Sequence, residues 1–174
     1  MLYEKLRGPR EIRLLEFLND DEPSCRIVHA ELDKTPYAAL SYTWGANIFD
    51  HVLKIQGISF KITENLYDAL KALNKYVCDS GLMLWVDAVC INQQDIQERN
   101  HQVRLMSAVY GSAKTVLVWL GNPYADSNLA MDKMKEWNAE SSSIYYGPVG
   151  SEPHRAWLSI LALWERSWWR RAWI

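Results

Sequence analysis

The sequence predicts an α/β protein whose parallel sheet is flanked by helices and extended by N-terminal β hairpins. Apolar strand-like runs alternate with helical segments after residue 36, which is the pattern of strands joined by helical crossovers. Alternating apolar and polar residues near the N-terminus indicate the hairpins. The 174 residues, 49% of them hydrophobic, suffice for one buried core, so we expect a single domain over residues 1–174.

Two antiparallel hairpins are predicted in the N-terminal third of the chain. Residues 11–18 and 26–32 are strand-like and are separated by a short turn-forming stretch that contains a proline. Residues 51–62 form the second hairpin, which turns near Gln56 and Gly57. We expect these hairpins to add strands to one edge of the core sheet.

Three apolar segments predict the core strands, within a core that we expect to span residues 37–121. The first, residues 37–42, is short and mostly apolar. The second, residues 82–91, is interrupted only by Asp87. The third, residues 115–121, is apolar enough to indicate a strand buried on both faces.

Capping residues mark the two core helices. Thr63 is the expected N-cap of the first helix, which Gly81 ends. Asp95 and Glu98 form a capping-box pattern at the start of the second, and Gly111 is its expected stop. The expected apolar faces consist of Leu66, Leu70, Leu73 and Val77 on the first helix and of Val103, Met106 and Tyr110 on the second.

The C-terminal third is predicted to be helical. Residues 127–140 form one helix, residues 140–153 a loop, and residues 154–174 a C-terminal helical segment. The apolar stripe of that last segment is expected at Trp157, Ile160, Leu161 and Trp164.

Bulk composition excludes several functional classes. A net charge of −2 provides no electrostatic surface for nucleic acid. The three cysteines lack metal-ligand spacing, so we expect no metal site, and a reduced cytoplasmic location fits them best. No secretory signal is visible at the N-terminus, and no apolar run reaches the roughly 20 residues that a membrane span needs.

Polar residues concentrate where the first two core strands end, which is where open α/β sheets bind ligands. Trp44 lies at this place, and its ring either faces a ligand or closes the end of the sheet as part of the core. Asp87 has two interpretations as well: a structural hydrogen bond or ion pair, with a backbone N–H or an arginine such as Arg99 or Arg104 as partner, or a role in a site. Cys90 is better explained as a small buried thiol than as a nucleophile.

The segment that follows the second strand offers further candidates. Asn92 and Gln93 either bridge loop backbone groups or hydrogen-bond a ribose or an amide. Glu98 is the best internal carboxylate for catalysis, and it also fits a helix-capping role. Arg99 suits a phosphate and a carboxylate equally well.

Several sequence blocks resemble the heterokaryon incompatibility (HET) domain of filamentous fungi. The resemblance rests on Tyr37-Ala-Ala-Leu-Ser-Tyr-Thr-Trp-Gly45, on Ile62-Thr-Glu-Asn-Leu66, and on Leu84-Trp-Val-Asp-Ala-Val-Cys-Ile-Asn-Gln93. Val118-Trp-Leu-Gly121 and Arg166-Ser-Trp-Trp-Arg-Arg-Ala-Trp-Ile174 extend it. Membership of this family implies a role in self/non-self recognition that triggers growth arrest or programmed cell death.

The HET family in turn resembles, more remotely, Toll/interleukin-receptor (TIR) domains. That likeness implies a flavodoxin-like strand order 2-1-3-4-5, with residues 40–42, 84–90 and 115–120 as the first three strands. Some TIR domains cleave NAD, which needs a carboxylate and an aromatic surface but no metal or other cofactor. Their catalytic glutamate follows a tryptophan after the third strand, so we expect its counterpart beyond Ile174 and this chain to be C-terminally truncated.

The sequence therefore predicts a fungal incompatibility and cell-death signalling domain that hydrolyses NAD when it self-associates, with NAD as substrate rather than cofactor. Glu98 is the predicted catalytic residue. The predicted ligand-binding residues are Ser41, Tyr42, Trp44, Gly45, Asp87, Asn92, Gln93 and Arg99. The alternative is a non-catalytic homotypic interaction module, which uses the tryptophan-rich C-terminus and the hairpins to contact a second copy or a partner signalling protein.

Overall fold

A computed structural model describes residues 2–18, 24–124, 126–139 and 147–171. The chain divides into two compact units, Met1–Trp119 and Leu120–Ile174. The division into compact units does not show whether the two units fold together. The single domain over residues 1–174 therefore stays a prediction. No helix among the described residues is long and apolar enough to cross a membrane.

The first unit is built on one mixed sheet of seven strands in the order β5-β4-β2-β1-β6-β3-β7. Pairs β2–β4, β3–β6 and β3–β7 are parallel, and pairs β1–β2, β1–β6 and β4–β5 are antiparallel. The strands are β1 (Glu11–Phe17), β2 (Ser24–Glu31), β3 (Tyr37–Tyr42), β4 (His51–Ile55), β5 (Ile58–Ile62), β6 (Met83–Trp85) and β7 (Thr115–Trp119).

The helices follow the strands in the α/β pattern that the sequence predicts. They are α1 (Glu64–Ser80), α2 (Asp87–Cys90), α3 (Ile96–Ser112), α4 (Ser127–Ala139) and α5 (Glu152–Trp164), and a 3₁₀ turn covers Ser167–Arg170. The α/β class is therefore confirmed. The three parallel core strands have the predicted order, second-first-third, as β6-β3-β7. Three strands do not identify a family, so the TIR likeness stays a prediction.

Both predicted hairpins are confirmed. Strands β1 and β2 pair from Glu11↔Glu31 to Phe17↔Cys25. Strands β4 and β5 are joined by Gln56 and Gly57, whose φ angles of 51° and 79° are both left-handed. Two successive left-handed residues are typical of a type I′ turn, which matches the twist of a tight hairpin.

The capping prediction for α1 is confirmed. The Thr63 side chain accepts a hydrogen bond from the amide of Leu66, and Gly81 ends the helix with a left-handed φ of 63°. Leu66, Leu70 and Val77 lie in the core of the first unit, as their spacing predicts.

The predicted strand over residues 82–91 is too long. Strand β6 ends at Trp85, where its pairing with β3 stops, and the chain turns into the four-residue helix α2. Val86, Val89 and Ile91 are nevertheless buried. Burial explains the error, because a short apolar run has the same composition in a buried strand and in a buried helical turn.

The expected apolar face of α3 is confirmed for Met106 and Tyr110, which pack against the core, and is wrong at Val103. Val103 is more than half exposed, whereas Gln102 and Val109 are buried. The Gln102 amide donates to the backbone carbonyl of Glu11 at 3.0 Å, so a polar side chain occupies a position where periodicity favours an apolar one. Gly111 does not stop the helix, which continues through Ser112.

Strand β7 is not buried on both faces. It is a terminal strand of the described sheet and pairs with β3 alone. Val116 and Val118 on one face are 42% and 46% exposed.

The second unit packs α4 and α5 around a small core of Ala130, Ile160 and Leu163. Trp164, which the sequence places in the apolar stripe, is mostly exposed, and Leu161 is exposed as well. The predicted loop at 140–153 is described only from residue 147, and residues 172–174 at the end of the predicted C-terminal segment lie outside the described residues.

Candidate functional site

A small aromatic pocket lies beside the carboxyl end of β3, as the sequence analysis predicts for a ligand site. Its volume is about 160 Å³. Its lining residues are Tyr42, Trp44, Phe49, Phe60, Lys61, Ile62, Thr63, Leu66, Ala88 and Gln93. A larger open cleft of about 700 Å³ lies between β1, β2 and the end of α1, and none of the predicted site residues lines it. We therefore treat the aromatic pocket as the candidate site.

Trp44 forms one wall of this pocket and is held by Asp87. The indole Nε1 donates to the two Asp87 carboxylate oxygens at 3.2 and 3.3 Å. The amide of Ala88 donates to the same carboxylate at 2.7 Å, and Asp87 is only 9% exposed. A backbone N–H is one of the two kinds of partner predicted for Asp87, and the Ala88 amide confirms it, whereas the indole of Trp44 was not predicted. Asp87 thus orients the Trp44 ring.

Asn65 joins the loop after β3 to the end of β7. Its Nδ2 donates to the backbone carbonyl of Thr43 at 2.6 Å, and its Oδ1 accepts from Trp119 Nε1 at 3.0 Å. Gly45 passes close by with a left-handed φ of 73°. Asn65 is not among the residues predicted from the sequence, although an amide in the first turn of a helix, where backbone groups lack partners, was an available signal.

The loop after α2 supplies the polar wall of the pocket. Gln93 lines the pocket, and its Nε2 donates to the backbone carbonyl of Asp87 at 2.9 Å. Asn92 shapes the loop, because its Oδ1 accepts from the amide of Gln94 at 3.2 Å and its carbonyl accepts from the amide of Asp95 at 3.1 Å. The side chains of Asn92 and Gln93 therefore bridge backbone groups of the loop, which is one of the two roles predicted for them; the other is binding a ribose or an amide.

The predicted capping box at the start of α3 is only half formed, because Glu98 forms an ion pair with Arg13 instead. Asp95 does cap α3, because its side chain accepts from the amides of Gln97 and Glu98 at 3.0 Å. The Glu98 carboxylate does not return to the amide of Asp95. It binds the guanidinium of Arg13 and accepts from the amide of Asn92. No contact tests catalysis by Glu98, which stays a prediction.

Arg13 is the second residue near the site that was not predicted from the sequence. Its side chain is 0% exposed in the middle of β1. The available signal was an arginine with apolar neighbours on both sides, Ile12 and Leu14, an uncommon setting for a charge unless it is paired.

The structure gathers only part of the predicted site. Tyr42, Trp44 and Gln93 line the pocket, and Asp87 lies behind Trp44. Four other predicted ligand-binding residues are not among those that line it, and of these Arg99 and Gly45 are exposed. The four are Ser41, Gly45, Asn92 and Arg99.

The prediction of a small buried thiol at Cys90 is confirmed. Its Sγ accepts from the amide of Val86 at 3.3 Å, and burial raises the pKa of the thiol to about 12. A thiol with so high a pKa is a poor nucleophile. Among the residues that the structure describes, no group of three or more metal-ligating side chains comes together.

Comparison with known proteins agrees with the sequence blocks. The family model described as "Heterokaryon incompatibility protein (HET)" matches residues 37–174. Among curated proteins, the chain is similar to "Heterokaryon incompatibility protein 6, OR allele" from Neurospora crassa, at 36% identity over 152 residues. That match covers 80% of this chain and 22% of the relative, so the chain spans about a fifth of the relative's length. No solved structure matches the chain significantly.

Proposed function

Because the chain belongs to the heterokaryon incompatibility family, we propose that it acts in fungal incompatibility as a cytoplasmic cell-death signalling domain. We further propose that the aromatic pocket binds the nicotinamide ring of NAD and that the assembled protein cleaves NAD at the bond between nicotinamide and ribose. The aromatic lining of the pocket beside the carboxyl end of β3 is the observation that carries this activity.

The size and lining of the pocket support a single-ring ligand. Its volume of about 160 Å³ is below the range of roughly 300–1,000 Å³ that is typical of drug-sized ligands, so it suits one ring rather than a whole dinucleotide. Tyr42, Trp44, Phe49 and Phe60 present aromatic surface. Aromatic faces attract cations, and the nicotinamide of NAD carries a positive charge that is lost only when the ring leaves.

The chemistry requires little of this pocket beyond holding the ring. The glycosidic C–N bond breaks with its electron pair going to the ring nitrogen, so nicotinamide leaves neutral and needs no general acid. A carboxylate stabilises the oxocarbenium-like ribose, and water then adds to the sugar with release of a proton. Asp87 and Glu98 are already bound by Trp44 and Arg13, so their contacts fit positioning better than reaction at the ribose. The TIR resemblance implies a reacting carboxylate that follows a tryptophan after the third strand, which is a residue other than these two.

Ring binding is testable in this chain alone. Ala88 lines the pocket, so Ala88→Leu should fill it and weaken binding of nicotinamide mononucleotide about tenfold or more, as measured by titration of the tryptophan fluorescence. Ala72→Leu, on an exposed position of α1, is the matched control and should bind like the wild type. Equal affinities for the two variants would reject this pocket as the ring site.

Hydrolysis is testable in the protein extended past Ile174. The extended protein, incubated with NAD under conditions in which it assembles, should release nicotinamide, and Ala88→Leu should abolish the release. No release at any protein concentration would reject the enzymatic proposal and leave the incompatibility role.

One observation favours a second function, that of a non-catalytic homotypic interaction module. Terminal strand β7 contains no charged residue and exposes Val116 and Val118. Uncharged terminal strands are surfaces on which another chain can add a strand. Val118→Lys should then keep the protein monomeric in size-exclusion chromatography at concentrations where the wild type self-associates. A monomeric wild type would reject this function.

A further inference from the structure

An arginine at the centre of a core strand links the N-terminal segment to the candidate site. Arg13 lies between the buried residues Ile12 and Leu14, and its side chain is 0% exposed. Its Nη1 and Nη2 donate to the two carboxylate oxygens of Glu98 at 2.6 and 2.9 Å. This is a bidentate ion pair, the geometry in which an arginine fixes the position of a carboxylate most strictly.

The remaining donors of Arg13 fasten two more segments. Nη1 also donates to the backbone carbonyl of Cys90 at 3.2 Å, and Nη2 donates to that of Glu4 at 2.6 Å. The guanidinium carbon lies 5.0 Å from the centre of the Tyr3 ring, within the range of a cation–π contact. The Tyr3 hydroxyl donates to the carbonyl of Val89 at 2.9 Å. The segment Tyr3–Arg13 is thereby bound to the carboxyl end of α2.

Glu98 transmits this anchoring to the polar wall of the pocket. The carboxylate oxygen that binds Arg13 Nη1 also accepts from the amide of Asn92 at 2.7 Å. Gln93, the next residue, lines the pocket. One carboxylate therefore joins β1 to the first residue of the loop that carries Gln93.

Burial of the Arg13–Glu98 ion pair costs free energy of desolvation, which a purely structural contact would not need. Arg13 Nε is buried without a hydrogen-bond partner among the described residues. Apolar residues of similar volume commonly replace buried ion pairs with no loss of stability, whereas a bidentate pair imposes one geometry on its partners. The contacts thus favour a role in fixing the loop over a role in stabilising the strand.

We propose that Tyr3–Arg13, which precedes the residues matched by the family model, belongs to the working site, and that Arg13 is a positioning residue for the Asn92–Asp95 loop. Positioning of the loop does not depend on what the pocket binds; only the effect on ring affinity rests on the proposed function. The region needed for this site is therefore longer than residues 37–174.

Hydrogen exchange of the Asn92 amide tests the proposal in the full chain. Arg13→Met should raise the exchange rate of this amide about tenfold or more, while the amides of α1 exchange as in the wild type. Arg26→Met is the matched control, because Arg26 forms an exposed ion pair with Glu16 on the neighbouring strands. It should change neither region. Equal acceleration in the loop and in α1, or none in the loop, would overturn the proposal.

Two further variants separate positioning from stability. Arg13→Met/Glu98→Leu removes both charges and should recover the thermal midpoint but not the slow exchange of Asn92. Arg13→Lys keeps the charge without the bidentate geometry and should show intermediate exchange; it carries the test if Arg13→Met does not fold. Recovery of slow exchange in the double variant would overturn the proposal.

Ring affinity distinguishes this inference from the proposed function. Arg13→Lys should weaken nicotinamide mononucleotide binding severalfold if the pocket binds the ring. A wild type that does not bind the ring, together with loop exchange that responds to Arg13, would reject the pocket's assigned ligand and retain the positioning role.

Discussion

Removal of the Asp87 carboxylate should destabilise the first unit chiefly by leaving the Trp44 indole N–H without its acceptor. The indole donates to both carboxylate oxygens, and Asp87 is 9% exposed. A hydrogen bond to a charged group contributes about 1.5–3 kcal/mol, and an unpaired buried donor costs about 1–3 kcal/mol. We therefore expect Asp87→Ala to lower the free energy of unfolding by about 2–3 kcal/mol. Asp87→Asn retains an acceptor without its charge, so we expect a loss of about 1 kcal/mol.

A double-mutant cycle isolates this interaction from packing. Trp44→Phe, Asp87→Ala and the double variant, unfolded in urea and followed by circular dichroism, should give a coupling energy of about 1.5–3 kcal/mol. Circular dichroism is the suitable signal because the cycle itself removes a tryptophan.

The control cycle replaces Asp87 by a carboxylate that does not contact Trp44. Asp79 forms an exposed ion pair with Lys75 at the end of α1. The cycle of Asp79→Ala with Trp44→Phe should show coupling below about 0.5 kcal/mol, the range for separate sites. A coupling this small for Asp87 and Trp44 would refute the conclusion that Asp87 orients the pocket wall.

Three further predictions concern local features. Cys90, whose pKa burial raises to about 12, should react with iodoacetamide at about pH 8 far more slowly than the half-buried Cys78, as peptide mass spectrometry will show; equal labelling of the folded protein would contradict this. Gln56→Asn should stabilise the Gln56-Gly57 turn by about 0.5 kcal/mol in urea unfolding, because asparagine adopts a left-handed φ more readily; a loss of stability would contradict it. Burial, with the charges of neighbouring groups, raises the pKa of Tyr3 above its ordinary value of 10.0, so its neutral form contributes stability below pH 10 that is lost as the pH rises further. Tyr3→Phe should therefore show a smaller fall in thermal midpoint between about pH 8 and 11, and an unchanged fall would exclude Tyr3 as its source.

Features that depend on neighbouring residues could be predicted from the sequence. The caps of α1 and the tight turn of the β4–β5 hairpin each follow from two or three adjacent residues whose backbone preferences are strong. The α/β class follows from alternation along the chain. Trp44 could be placed at the site for the same reason, since it follows a recognisable core strand.

Features that depend on residues far apart in the chain could not be predicted from the sequence. Arg13 and Glu98 are 85 positions apart, and nothing in the periodicity around either one specifies the other. The exposed face of β7 depends on which side chains pack over it, and an apolar strand has the same sequence pattern whether or not that face is covered. The face of α3 was mispredicted at Val103, because Gln102 is buried in its place and its amide is satisfied by the carbonyl of Glu11, a bond that no apolar pattern encodes.

The contacts around the pocket indicate that it exists before any ligand binds. Trp44 is held by Asp87, the loop after β3 by Asn65, and the polar wall by the chain of contacts from Arg13 through Glu98. A pocket fixed in this way has little shape change to make on assembly, so self-association would activate the protein by a step other than the formation of the pocket. We therefore expect ring affinity to be independent of protein concentration, while NAD hydrolysis by the extended protein rises more steeply than linearly with it. Ring binding that appears only in assembled protein would show instead that association builds the pocket.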